Sequence, residues 1–111
     1  MGKKSIMKGR DGEREVAKIL RERGYTSAKR GVQYHGGEDS PDVTGIPNVH
    51  IEVKRVEALH LYPSLEQAKR DAGDGEIPVV VHRPNRKEWV AILPFDDFIT
   101  LCQDRDEWIE L

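Results

Sequence analysis

Pro41-Asp42-Val43-Thr44-Gly45-Ile46-Pro47-Asn48-Val49-His50-Ile51-Glu52-Val53-Lys54 is the stretch whose reading decides the fold of this chain. Val49, Ile51 and Val53 alternate with His50, Glu52 and Lys54. A period of two places the aliphatic side chains on one face of a strand and the polar ones on the other. The pattern predicts a strand over residues 49–55, preceded by a shorter one over residues 42–44. A hairpin of this length brings the carboxylates of Asp42 and Glu52 into the coordination sphere of one cation. A hard ion, Mg²⁺ or Mn²⁺, takes oxygen ligands and keeps several waters, so two carboxylates, the backbone carbonyl of Val53 and a substrate phosphate suit it. Such an ion makes its water a usable nucleophile near neutral pH. Lys54, on the same face as Glu52, supplies a compact positive charge for the nucleophile or for an anionic transition state. The plainer readings are a turn aspartate after Pro41 and a surface ion pair between Glu52 and Lys54.

Upstream, Glu13, Val16, Ala17 and Leu20 recur at helical spacing and Gly24 follows, which predicts an amphipathic helix over residues 11–23 with a glycine stop. Glu13 lies on its apolar face and Glu15 on another. Residues 25–30 are expected to form a strand and residues 31–41, which include Gly36 and Gly37, a loop. Downstream, Ser64 and Gln67 after Pro63 fit a capping box opening a helix through about Ala72, with Gly73 and Gly75 stopping it. Residues 77–82 read as a buried strand and residues 83–86 as a turn. A strand from Glu88 to Leu93 follows, in which Trp89 is read as core, and then a helix over residues 95–102. The order α, β, β, β, α, β, β, α predicts an α/β (α+β) domain with one mixed central sheet flanked by helices.

The 111 residues suffice for one domain, expected to span residues 1–111. At 37% hydrophobic and 34% charged the chain is polar, but its apolar residues are periodic, which argues against disorder. No apolar run approaches the ~20 residues of a membrane span, so no membrane partner is expected. The lone Cys102 can form no internal disulfide and fits a reducing cytoplasm. The formal charge of -2 conceals an asymmetry, since residues 1–33 carry ten Lys/Arg against four acids and the remainder is net acidic. A basic first third is suited to a polyanion, though a solvated helix face of mixed sign has the same composition. His35, His50, His60 and His82 have no zinc spacing; His50 shares the face of Glu52, where it either touches substrate or, the reading preferred, is a peripheral solvated residue. Arg83, Arg86 and Lys87 either grip phosphate or form a solvated hairpin tip.

The PD, nine-residue, ExK string of Asp42, Glu52 and Lys54 resembles the PD-(D/E)XK nuclease superfamily. The run Lys8-Gly9-Arg10-Asp11-Gly12-Glu13-Arg14-Glu15-Val16 is similar to the N-terminal helix of archaeal Holliday-junction resolvases and related phage nucleases. That likeness implies that Glu13 supports the metal or its water. Gln67 is similar to the glutamine that RecB-like and VRR-NUC members place beside the motif, which implies that it positions Lys54 or substrate. The resemblance covers roughly residues 8–83 and implies a restriction-endonuclease-like αβββαβ core and an Mg²⁺- or Mn²⁺-dependent DNA endonuclease of phage or prokaryotic type. Its substrate would be branched or duplex DNA, contacted by Lys8, Arg10, Arg14, Lys29, Arg30 and Arg55. A homodimer is also implied, with Phe95, Phe98, Trp108, Ile109 and Leu111 as surface for a partner. The competing readings are a catalytically silent DNA-binding module and an RNA-directed nuclease.

Overall fold

A computed structural model describes residues 3–31 and 41–109. The chain runs α1 (Lys3–Glu22), β1 (Lys29–Arg30), β2 (Val43–Thr44), β3 (Val49–Lys54), α2 (Leu61–Asp71), β4 (Ile77–His82), β5 (Val90–Ile92) and α3 (Phe95–Ile109). Among these residues the strands form one five-stranded sheet in the order β1-β2-β3-β4-β5. The pairs β1–β2, β2–β3 and β4–β5 are antiparallel, while β3 and β4 run parallel, joined by the α2 crossover. This mixed sheet between helices is the αβββαβ restriction-endonuclease-like core.

The middle strand fixes everything around it. Ile51 and Val53 pack with Val16 and Ala17 of α1 and Val43 of β2 in the hydrophobic core, against which Leu20, Val81 and Trp89 also rest. The opposite face of β3 carries His50 and Glu52, only 1% and 3% exposed. That polar face is not solvated, because α2 lies over it.

Several boundaries differ from the sequence expectation. Helix α1 begins at Lys3 rather than Asp11. The added segment contains Lys, Met and Arg, good helix formers, and no proline, and the ~1 kcal/mol cost of Gly9 does not stop propagation. Gly12 is buried in α1 because Arg55 and Trp89 press on it: a Cβ there would lie 2.8 Å from Arg55 Cβ and 3.4 Å from Trp89 Cη2. The strand expected over residues 25–30 shrinks to β1, since the Ala28 N–H donates to the Tyr25 carbonyl in a turn (2.9 Å). The capping box at Ser64 is not formed. Helix α2 starts at Leu61 after His60, which makes no side-chain cap, and Ser64 is buried inside it. Pro63 sits at the third helical position, where its missing N–H is one the helix could not use.

Trp89 is half-buried and donates from Nε1 to Glu15 Oε1 at 2.7 Å, with the Arg83 guanidinium 5.4 Å over its ring. Glu15, on the side of α1 away from Glu13, thereby ties the helix to the β4–β5 turn. Helix α3 continues to Ile109, past the expected Cys102. It leaves Phe95, Phe98, Ile99 and Leu101 exposed, and the described chain extends 53 × 30 × 28 Å. No helix among the described residues is long and apolar enough to cross a membrane. Of the loop expected across residues 31–41, residues 32–40 with His35 lie outside the described residues, as do Leu111 and the side chains of Trp108 and Ile109.

Candidate active site

Asp42 is pinned at two points. Its N–H donates to the Ile51 carbonyl at 2.8 Å, and its Oδ2 accepts the Val53 N–H at 2.7 Å. The ladder breaks at this residue, so a side-chain oxygen stands where a strand carbonyl would. In an antiparallel pair the N–H and C=O of one residue leave on the same edge. The Val53 carbonyl is thus directed to the Asp42 side of β3.

The hairpin also sets the carboxyl of Glu52 in hydrogen-bond contact with that of Asp42. Burial is the main force raising Glu52, with the charge and hydrogen bond of Asp42 next, and its carboxyl is pushed from 4.5 to about 8. Lys54 pulls the other way and Asp71 adds to the rise. Two acids packed this closely cannot both ionise in a desolvated site without a compensating cation. A protonated Glu52 near neutral pH is the consequence in its absence.

Helix α2 supplies the rest. Gln67 and Asp71 are one turn apart on its inner face, beside the buried Ser64 and Ala68. Lys54 Nζ donates to Gln67 Oε1 at 3.1 Å, which fixes the ammonium next to the acids. Asp71 reaches the other end of the polar face. One ligand atom each from His50, Glu52 and Asp71 lie within 4.8 Å of one another, a set able to coordinate a metal ion. His50 Nε2 meets Glu52 Oε1 at 2.8 Å, and His50 Nδ1 is 3.8 Å from Glu76 Oε1. Sequence reasoning did not bring His50 and Asp71 together with Glu52 in a cluster able to hold a metal. The signal was present in the alternation of His50, Glu52 and Lys54, and in the four-residue step from Gln67 to Asp71.

The other expected residues are placed differently. Glu13 accepts from Arg30 Nε at 2.9 Å, at the β1 edge beside Val43, and, like Asp42, is outside the 4.8 Å group of His50, Glu52 and Asp71. Most of the expected DNA contacts are paired with polar groups of the chain: Lys8 with Glu57 (3.1 Å), Arg14 with Asp11 (3.3 Å), Arg30 with Glu13 (2.9 Å) and Arg55 with Asn85 Oδ1 (2.6 Å). Arg10 and Lys29 are exposed. Glu57 joins this network, where the Asn85 N–H and Lys8 hold its carboxyl below the usual range.

Compared with protein-family models, curated proteins and solved structures, the chain matches none. The fold and the donor set are consistent with a generic PD-(D/E)XK-like nuclease, and the capability they support is metal-dependent catalysis.

Proposed function

We propose that the chain is a metal-dependent DNA endonuclease that hydrolyses phosphodiester bonds in branched or duplex DNA. The observation that carries this reading is the approach of the half-buried Asp42 to the buried Glu52, beside a lysine held in place by Gln67. Asp42, Glu52 and the Val53 carbonyl would hold Mg²⁺ or Mn²⁺, which lowers the pKa of its water and offsets phosphate charge. Lys54 meets the negative charge that grows on the phosphoryl oxygens, and Gln67 keeps it aimed there. Glu13 acts beside the metal only if it is released from Arg30. Lys8, Arg10, Arg14, Lys29, Arg30 and Arg55 contribute to a phosphate-binding surface by exchanging intramolecular acids for phosphates. A DNA-binding module with no activity would have little use for a buried Glu52 set against a second, half-buried acid, since removing either relieves the cost.

The endonuclease works as a homodimer in this reading, because one metal centre cuts one strand. An apolar cleft of about 380 Å³ lined by Val16, Leu20, Val49, Ile51, Trp89 and Leu101 of α3, among others, supports it. Residues 95–107 of α3 carry five acids against Arg105, and α1 beside the cleft is basic, so α3 of a second copy is complementary to this face in charge and polarity.

The test offers labelled four-way-junction, linear duplex, single-stranded DNA and RNA substrates with Mg²⁺ or EDTA. Metal-dependent cleavage of the DNA junction or duplex is expected. Cleavage of RNA alone would favour an RNA-directed nuclease, and binding without cleavage the silent module.

A further inference from the structure

We propose that His50, Glu52 and Asp71 form a second cation site, distinct from the Asp42 cradle but sharing Glu52 with it, and that this site takes a borderline transition ion in preference to Mg²⁺. The proposal rests on the reading of Asp42 and Glu52 as a metal cradle, and adds to it a site of different chemistry.

The argument starts from the donor set. Asp42, Glu52 and the Val53 carbonyl offer oxygen only, which suits Mg²⁺. The other flank of Glu52 offers an imidazole, and imidazole nitrogen suits Zn²⁺, Fe²⁺ and their neighbours, while Mg²⁺ prefers oxygen and water. The strand and the helix deliver these ligands separately. His50 and Glu52 are two apart on one face of β3, and Asp71 comes from the last turn of α2.

Distances agree with an ion between them. Two ligands bound at ~2.1 Å to the same ion lie ~3–4 Å apart. The ligand atoms here fall within 4.8 Å of one another, so small side-chain rotations suffice. The closest pair, His50 Nε2 and Glu52 Oε1 at 2.8 Å, now shares a proton that an ion would displace to solvent. Behind the ring, Glu76 Oε1 stands 3.8 Å from His50 Nδ1. That is longer than a hydrogen bond, and Glu76 Oε1 accepts the Gly73 N–H at 2.7 Å, so this carboxylate lends negative charge to the far side of the ring without fixing its tautomer. His50 is 1% exposed and Glu52 3%, so the ring cannot turn to solvent, whereas the half-buried Asp71 leaves a path of entry. A plain structural histidine needs neither Asp71 nor Glu76 about it. Glu52 can serve both sites because a carboxylate bridges ions ~3.5–4 Å apart.

The experiment titrates the 111-residue chain calorimetrically with Mg²⁺, and then the Mg²⁺-saturated chain with Zn²⁺. One Mg²⁺ and one Zn²⁺ per chain are expected for wild type. His50→Gln and Asp71→Asn should each lose the Zn²⁺ and keep the Mg²⁺, and Asp42→Asn should lose the Mg²⁺. A Mg²⁺-loaded wild-type chain that takes no Zn²⁺ overturns the second site and leaves the cradle standing. Absence of both ions overturns the two together. A measurement without substitutions guards against variants that do not fold: Zn²⁺ added to ¹⁵N-histidine-labelled, Mg²⁺-saturated wild type should shift Nε2 of His50. Unshifted His50 nitrogens at saturating Zn²⁺ likewise overturn the site.

Discussion

Replacing Glu52 by glutamine should make the metal-free protein more stable at neutral and alkaline pH, while destroying the site. In the fold the Glu52 carboxyl is raised from 4.5 to about 8 by burial and by Asp42. Between those two pH values the folded chain holds a proton that the unfolded chain has released, so stability falls as pH rises through the window and levels off above it. At 1.36 kcal/mol per pKa unit, the cost is up to ~3 kcal/mol at pH 7 and ~5 kcal/mol above pH 8. Glutamine mimics the protonated acid, keeps an oxygen for the His50 ring and carries no such cost. Urea unfolding in EDTA at pH 4.5, 7 and 8.5 should therefore show Glu52→Gln close to wild type at the lowest pH and increasingly more stable at the other two. At pH 7, Mg²⁺ at 1,000 times its Kd should reverse the order, since it stabilises only the chain that binds it, by ~4.1 kcal/mol against the ~3 kcal/mol cost. A stability difference that is constant over pH, or a variant less stable at pH 8.5, would refute the reasoning.

Lys54→Ala should keep its metal by calorimetry yet lose ~10²–10³-fold in single-turnover cleavage, because the ammonium acts where charge develops, and Lys54→Arg should restore only part. Gly12→Ala should lower stability by ~1–2 kcal/mol in denaturant melts, despite alanine's helix preference, because its Cβ meets Arg55 at 2.8 Å; a raised midpoint would contradict the packing described. Trp89→Phe should cost ~1–2 kcal/mol by removing the 2.7 Å bond to Glu15 and leave Mg²⁺ affinity unchanged. Sedimentation should give a species of twice 12.7 kDa, and Leu101→Asp should convert it to monomer; a wild-type monomer at high concentration would contradict the dimer.

What the sequence disclosed was whatever depends on neighbours along the chain. The alternation of residues 49–54 placed β3, the apolar run placed β4, and the order of elements implied a mixed sheet. The hairpin spacing also anticipated that Asp42 and Glu52 would meet. What the sequence left hidden was long-range. His50 reads as a polar strand residue, and only the docking of α2 on that face buries it and brings Asp71 to it. Glu13 faces inward as its helical spacing implies, but its ion pair with Arg30 depends on where β1 lands beside β2. Ser64 and Gln67 match a cap in sequence, yet tertiary packing draws Ser64 into the interface and starts the helix a turn earlier. The expected DNA-contacting cations are identifiable by charge, while their intramolecular partners, such as Glu57 for Lys8, come from 49 residues away.

The most direct test of the metal-dependent nuclease is cleavage of end-labelled duplex and four-way-junction DNA by wild type and Glu52→Gln, side by side in Mg²⁺, Mn²⁺ and EDTA. Phosphodiester cleavage by wild type with either ion, none in EDTA and none by Glu52→Gln is the predicted result. Equal cleavage by both proteins, or no cleavage by a wild-type chain that calorimetry shows to be metal-loaded, would contradict it.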